Sequence, residues 1–240
     1  MSIEVPFTKA DLEFYLKELA KEYKRRGHGI PAEIILVGGA SVLINYGFRN
    51  STYDVDADFT APSVMKECIN AVGDRYGLPT NWLNSDFKKT TSYSPKIVQY
   101  SQYYKTFSNV LEIRTVHAAY LIAMKLVSGR KYKKDLSDIA GIILEQRKAG
   151  KPISYEEIDV AVNDLFGGWQ DVSEDTVKVL GDIFVCNDLE RLFIELSENE
   201  TYAKETLLEI EKKYPNVVRE SNVDEVIAAA LKKKRDSGER

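Results

Sequence analysis

Cysteine and histidine are scarce, with two of each in 240 residues. Cys68 and Cys186 stand alone, without the paired spacing of a zinc site, a redox dithiol or a disulfide framework. His28 and His117 lie far apart, and no Ser–His–Asp grouping or histidine general base is expected; His117 reads as the start of a helix. No apolar run reaches the roughly 18 residues needed to cross a bilayer, so no membrane partner is expected. The opening MSIEVPFTKADLEF carries an early acid and no apolar core of a secretory signal, which makes a reduced, cytoplasmic setting the expectation. An excess of positive charge is also missing. The 33 basic and 37 acidic residues give a net charge of -4, which excludes a generally basic nucleic-acid coat but leaves room for a local basic groove. With 44% hydrophobic and 29% charged residues, the chain is globular rather than disordered, and its length suits one large domain or two small ones.

The pattern along the chain changes near its middle. Thr8 and Asp11 resemble a capping box, and Leu12, Tyr15, Leu16, Leu19 and Tyr23 follow at helical spacing until Gly27. Residues 33–37 read as a buried strand that ends at Gly38-Gly39, followed by a short apolar helix from Ala40 to Tyr46. A second strand is predicted from Tyr53 to Phe59, and a helix from Pro62 to about Tyr76. Residues 79–106 read as loop with one or two short strands, and Val110 to Thr115 as a strand. From His117 the pattern is helical, with breaks near Gly129, Gly150, Gly167-Gly168, Asn187, Asn199 and Pro215, and with a second capping box at Ser154 and Glu157. The tail Lys232 to Arg235 reads as a solubilising helix end. The expected class is α+β, with a mixed α/β core over residues 1–115 and a helical domain over 116–240.

Asp54-Val55-Asp56-Ala57-Asp58 is the sharpest feature. Alternate residues of a strand share a face, which sets three carboxylates side by side and Val55 and Ala57 opposite. Like charges at that spacing repel, and a divalent cation is the simplest neutraliser. Hard oxygen ligands suit magnesium, which binds through one or two carboxylates plus phosphate. A solvated strand face is the plainer alternative. An EF-hand is excluded: counting from Asp54, its glycine and glutamate positions hold Phe59 and Met65.

Gly38-Gly39 sits between a strand and a helix, where backbone amides can bind phosphate oxygens, with the Ser41 hydroxyl nearby. A tight turn or close packing explains two glycines equally well. Neither a Walker A loop nor a dinucleotide fingerprint is present. Taken together, an anion-holding bend after one strand and a cation-holding acidic pair on the next are the apparatus of phosphoryl or nucleotidyl transfer.

Val37-Gly38-Gly39 followed by Asp54-Val55-Asp56 resembles the nucleotidyltransferase superfamily, the DNA polymerase β-like group. The wider pattern is similar to bacterial nucleotidyltransferase-like proteins that are distantly related to abortive-infection and toxin–antitoxin nucleotidyltransferases. That pattern runs from Val37 through Arg49 and Asp56, with Trp82-Leu83-Asn84, Ala123-Met124-Lys125-Leu126, Arg130, Lys134-Asp135 and Asp138-Ile139. The resemblance covers roughly residues 33–145. It implies a mixed sheet flanked by helices, two magnesium ions (manganese as a substitute), and transfer of a nucleoside monophosphate from a nucleoside triphosphate, with pyrophosphate leaving. It also implies Asp54 and Asp56 as metal ligands, with Asp58 beside them, and Gly38, Gly39 and Ser41 on the triphosphate. A third acid that activates the acceptor hydroxyl is expected at Glu112, or at Asp58 in its place.

Lys125, Arg130 and Lys134 are expected near phosphates, with Asp135 and Asp138 orienting them or a metal; a solvated face of weak pairs is the alternative. The tyrosines from Tyr93 to Tyr104, with Lys96 and Lys105, would either stack on bases or pack under helices. The acceptor is an RNA end, a protein or a small molecule, and an antitoxin-like protein partner and a toxin–antitoxin or phage-defence role follow from the resemblance. A catalytically weak binding protein that works through a protein or RNA partner is the second reading, and a metal-dependent phosphohydrolase the third.

Overall fold

The structure, a computed structural model, describes residues 6–60, 62–219 and 222–229; the basic tail from Lys232 to Arg235 lies outside the described residues. The chain opens with helix α1 (Lys9–Arg26), whose N-terminus is closed by the reciprocal Thr8–Asp11 capping box. Its buried stripe of Leu12, Leu16, Leu19 and Tyr23 repeats at helical spacing. Strand β1 (Ala32–Leu36) runs into helix α2 (Gly38–Asn45), which starts two residues earlier than the sequence suggests and takes both glycines into its first turn. Strand β2 (Val55–Phe59) and helix α3 (Pro62–Tyr76) follow.

The harder stretch contains the two-residue strand β3 (Leu83–Asn84), two short 3-10 turns at Asp86–Lys89 and Pro95–Val98, and the longer strand β4 (Ser101–Phe107). Strand β5 (Leu111–Val116) completes a five-stranded mixed sheet in the order β3-β2-β1-β5-β4. Strand β1 pairs antiparallel with β2 and parallel with β5.

The remaining described elements are helical: α4 (Ala118–Ser128), α5 (Asp135–Lys148), α6 (Tyr155–Phe166), α7 (Glu174–Val185), α8 (Leu189–Lys213) and a helical turn over 223–229. The protein is therefore α+β, a mixed sheet flanked by helices and followed by a helical region. Two local expectations are corrected. Asn199 does not break a helix, because α8 passes through it. Asn199 is exposed while its neighbours Glu200, Ala203 and Leu207 are buried, so packing overrides a weak propensity. Residues 131–134 form turns rather than helix, and α5 begins at Asp135 with Lys134 as its cap residue.

The strand alternation assigns the two faces of the sheet. Ile34, Leu36, Val55, Ala57, Leu111 and Ile113 pack on α1 and α3 together with Leu12, Leu16, Met65 and Val72. Each of these buried side chains larger than alanine contributes roughly 1.5–3 kcal/mol. The other face presents Ile35, Val37 and Val116 to α4, α5, α6 and α7, and one core runs from it into the helical region. Asp56 and Asp58 share this second face, since they alternate with Val55 and Ala57.

Candidate active site

The site forms where β1 ends and β2 begins. The chain reaches β2 under restraint. Phe7 and Thr52 exchange two backbone hydrogen bonds of 2.7 and 2.9 Å, and the Thr52 hydroxyl donates to the Asp54 carbonyl at 3.0 Å. The Arg49 Nε donates to the Ser51 carbonyl at 3.1 Å. Asp54 is thereby held just before the strand, exposed, and Asp56 lies one pleat inside it, half-buried. The amide of Val37 donates to the Asp56 carbonyl at 2.9 Å, which fixes the glycine bend against the acid.

Gly38 has φ +53°, the left-handed region that L side chains enter at a cost of about 1–2 kcal/mol. A Cβ placed on it would stand 3.8 Å from Asp56 Oδ2, so the bend and the carboxylate face one another. Gly39 is a glycine for a different reason: a Cβ there would lie 2.7 Å from Thr52 Oγ1 and 2.8 Å from Arg49 Nη2. Its missing side chain makes room for Arg49.

One cavity of about 320 Å³ collects half of the expected residues. Gly38, Asp54, Asp56, Lys125, Arg130 and Asp135 line it, together with Lys133, Asn84, Asp86, Thr90 and Ser92, over an apolar floor of Val37, Phe87, Leu121 and Met124. Burial, reinforced by the neighbouring Asp54, pushes the Asp56 carboxyl above its usual range, while Lys133 and Arg130 oppose the shift. Lys133 Nζ lies 3.9 Å from Asp54 Oδ2.

A network of buried charge lies beneath. Lys125 Nζ is 2.8 Å from Asp135 and 2.7 Å from Asp138; Arg130 Nε donates to Asp135 at 2.8 Å, and Arg49 pairs with Asp138. Burial disfavours the Asp135 anion, but Lys125 and Arg130 overcome this and hold its carboxyl well below the usual range. Further back, Glu200 on α8 accepts hydrogen bonds from the Leu136 and Ser137 amides and the Ser137 hydroxyl, which caps the first turn of α5. Burial outweighs those bonds and pushes its pKa up to about 7.

Several expected residues fall elsewhere. Ser41 is fully buried, and its Oγ accepts the Val116 amide at 3.3 Å, so it braces α2 against β5 instead of facing the cavity. Lys134 is exposed and off the cavity; its neighbour Lys133 takes the lining position because the segment is a turn rather than a helix. Asp58 lies one pleat beyond Asp56, where Lys88 holds it.

Glu112 has the right face and the wrong level. It pairs in register with Glu33, which sits opposite Thr60, four positions from Asp56 and about 13 Å away at roughly 3.3 Å per residue. There Arg114 binds it at 2.7 Å, and it lines a different cavity with Glu33 and Thr106. The β5 residue level with Asp56 is Val116. None of the tyrosines from Tyr93 to Tyr104 lines the cavity: Tyr93 packs on Phe87, Tyr100 stacks on Tyr120 at 3.8 Å, and Tyr104 bonds Glu13. Asp86, Thr90, Ser92 and Lys133 are lining residues that sequence reasoning missed: the folded path of residues 85–92 carries the first three to the cavity, and the turn before α5 carries Lys133 there.

Among the described residues, no group of three or more His, Cys, Asp or Glu is arranged to hold a metal ion. The donor set fits a cation of another kind, one that completes its shell with water and ligand phosphate. Asp54 and Asp56 supply two hard oxygen ligands on an open cavity, and their mutual repulsion is what a dication relieves.

No curated protein and no solved structure matches the chain. A family model described as "Nucleotidyltransferase of unknown function (DUF6036)" matches residues 14–148, from within α1 to the end of α5. That span is 135 of the 240 residues and contains every residue named above as lining the cavity. The chain with its glycine bend and paired aspartates thus belongs to this family of nucleotidyltransferases of unknown function.

Proposed function

We propose that the protein is a magnesium-dependent nucleotidyltransferase that moves a nucleoside monophosphate from a nucleoside triphosphate to an acceptor hydroxyl. The observation that carries this reading is the approach of the left-handed Gly38 to Asp56 on a cavity shared with Asp54, Arg130 and Lys133. Asp54 and Asp56 hold the cation. When bound, that cation neutralises phosphate oxygens and stabilises the charge that develops as pyrophosphate departs.

The chain's own residues do the rest. Gly38 lets the backbone come close to the phosphates, and the first turn of α2 leaves amides without intrahelical acceptors. Arg130, held by Asp135, keeps donors free for an anionic oxygen. Lys133 adds a mobile positive charge beside Asp54. The apolar floor of Phe87, Leu121 and Met124 offers an uncharged seat on the same wall. Rate enhancement arises from positioning and fixed charge.

The test is the Asp56→Asn variant. It is expected to remain folded by circular dichroism while losing about a thousandfold or more of magnesium-dependent label transfer from [α-32P]ATP to cellular RNA, protein and small-molecule fractions. Retained transfer would overturn the mechanism. A second reading, a nucleotide-binding protein with little turnover that acts through a protein or RNA partner, has one observation in its favour: at the level of Asp56, across β1, β5 offers Val116 rather than an acid. Nucleotide binding without pyrophosphate release would support it.

A further inference from the structure

The cavity that holds Asp54 and Asp56 has a neighbour. A second cavity of about 220 Å³ opens at the sheet edge beside β3 and shares two wall residues with the first, Asn84 and Asp86. Its polar lining is Lys66, Asn70, Asn81, Asn84, Ser85 and Asp86, above Ile69 and Leu83. Asn84 is in register with Asp56, and its Oδ1 accepts the Asp86 amide at 2.8 Å, so the dividing wall is tied to the metal-facing strand. The side chains of Lys66, Asn70, Asn81 and Ser85 make no hydrogen bond or ion pair within the described residues, which leaves their donors and acceptors turned to whatever enters.

The carboxylates on the first cavity are Asp54, Asp56, Asp86 and Asp135. The first two are committed to the cation in the reading above. Asp135 is buried under Lys125 and Arg130. Among the carboxylates of the described residues, Asp86 alone remains and faces both cavities. Lys89 Nζ lies 2.7 Å from its Oδ1.

Resting on that donor-side reading, we propose that the second cavity is the acceptor subsite, that its ligand is an uncharged, hydroxyl-rich small molecule, and that Asp86 is the carboxylate that takes the acceptor's proton. The acceptor oxygen forms its bond to the α-phosphorus. The bond from that phosphorus to the bridging oxygen breaks, pyrophosphate leaves with the electron pair, and the acceptor proton passes to Asp86. The chemistry of the walls selects the class. One ammonium and one carboxylate leave the cavity formally neutral, and three amides and a hydroxyl match the donor–acceptor pattern of a polyol. A polynucleotide would need several cationic phosphate contacts. The volume lies below the roughly 300 Å³ at which ligand cavities usually begin, which restricts the occupant to about one ring.

The experiment measures pyrophosphate release from magnesium ATP, first with water as the acceptor and then with myo-inositol, D-glucose or glycerol added, alongside the ATP dissociation constant. The added polyols are expected to raise release and to carry the α-phosphate label. Asn70→Ala combined with Asn81→Ala is expected to raise the acceptor KM about tenfold, with ATP binding unchanged. Asp86→Asn is expected to lower release by about a hundredfold or more at unchanged ATP affinity, with part of the rate restored in Asp86→Glu. Label on an RNA end or a protein, with none on any polyol, would overturn the acceptor assignment while leaving the donor site standing. Full activity in Asp86→Asn would overturn the base assignment. Failure of the wild-type protein to bind magnesium ATP would remove the donor-side reading and this inference with it.

Discussion

Replacing Lys125 by Met asks whether this side chain serves the ligand or the fold. Met keeps an unbranched apolar stem of similar size, so the change removes a charge and little volume. The ammonium stands within 2.8 Å of both Asp135 and Asp138, and all three side chains are less than a tenth exposed. Breaking a buried pair costs about 3–5 kcal/mol, because the surviving charge stays in a poorly polarisable interior. Each carboxylate here keeps a second cation, Arg130 for Asp135 and Arg49 for Asp138, so the lower end, about 3 kcal/mol, is expected. For a chain of this length that amounts to a melting temperature lower by roughly 6–12 °C. Thermal and urea unfolding followed by circular dichroism measure the loss, and nucleotide titration of the folded variant measures the ligand side. The nucleotide dissociation constant should change by less than about threefold. An unfolding free energy within about 1 kcal/mol of wild type, together with a tenfold or greater loss of nucleotide affinity, would refute the reasoning and return Lys125 to the phosphates.

Further outcomes follow from other positions. The raised pKa of Glu200 stabilises the fold fully below its ordinary 4.5 and loses that contribution as pH climbs through about 7, a change of roughly 3 kcal/mol. The Glu200→Gln variant should therefore unfold with a flatter pH dependence between 5 and 8; an identical slope in both proteins would count against the assignment. Gly39→Ala should destabilise by about 1–3 kcal/mol, because Arg49 cannot move aside without straining its pair with Asp138. Gly38→Ala should cost about 1–2 kcal/mol in backbone conformation and, beyond that, weaken magnesium ATP binding by placing a methyl group in the cavity. Lys133→Ala should weaken nucleotide binding up to about fivefold, and Lys134→Ala should leave it unchanged, as isothermal titration can show.

Period and spacing in the sequence determined much of this protein. The two-residue alternation of Asp56 and Asp58 with Val55 and Ala57 set the acids on one face, because a strand's side chains have no other choice. Thr8 with Asp11 and Ser154 with Glu157 marked helix starts, because only a hydroxyl and a carboxylate at that spacing can satisfy the orphan amides reciprocally. The bend at Gly38 was legible for the same local reason. Tertiary structure decided what lies beside what. Alternation assigned Glu112 a face but not a level, and the parallel register of β1 with β5 set it about 13 Å along the strands from the level of Asp56 and brought Val116 to that level instead. Ser41, Lys125 and Asp135 look in sequence like ligand-facing polar groups. The packing of α2 turned Ser41 into buried bracing, that of α4 and α5 paired Lys125 with Asp135 at the cavity wall, and the fold of residues 85–92 carried Asp86 to the same wall. Local pattern governs where a side chain points along its own element; the partner it meets depends on registers and packing set by residues far away in the chain, which no local period encodes.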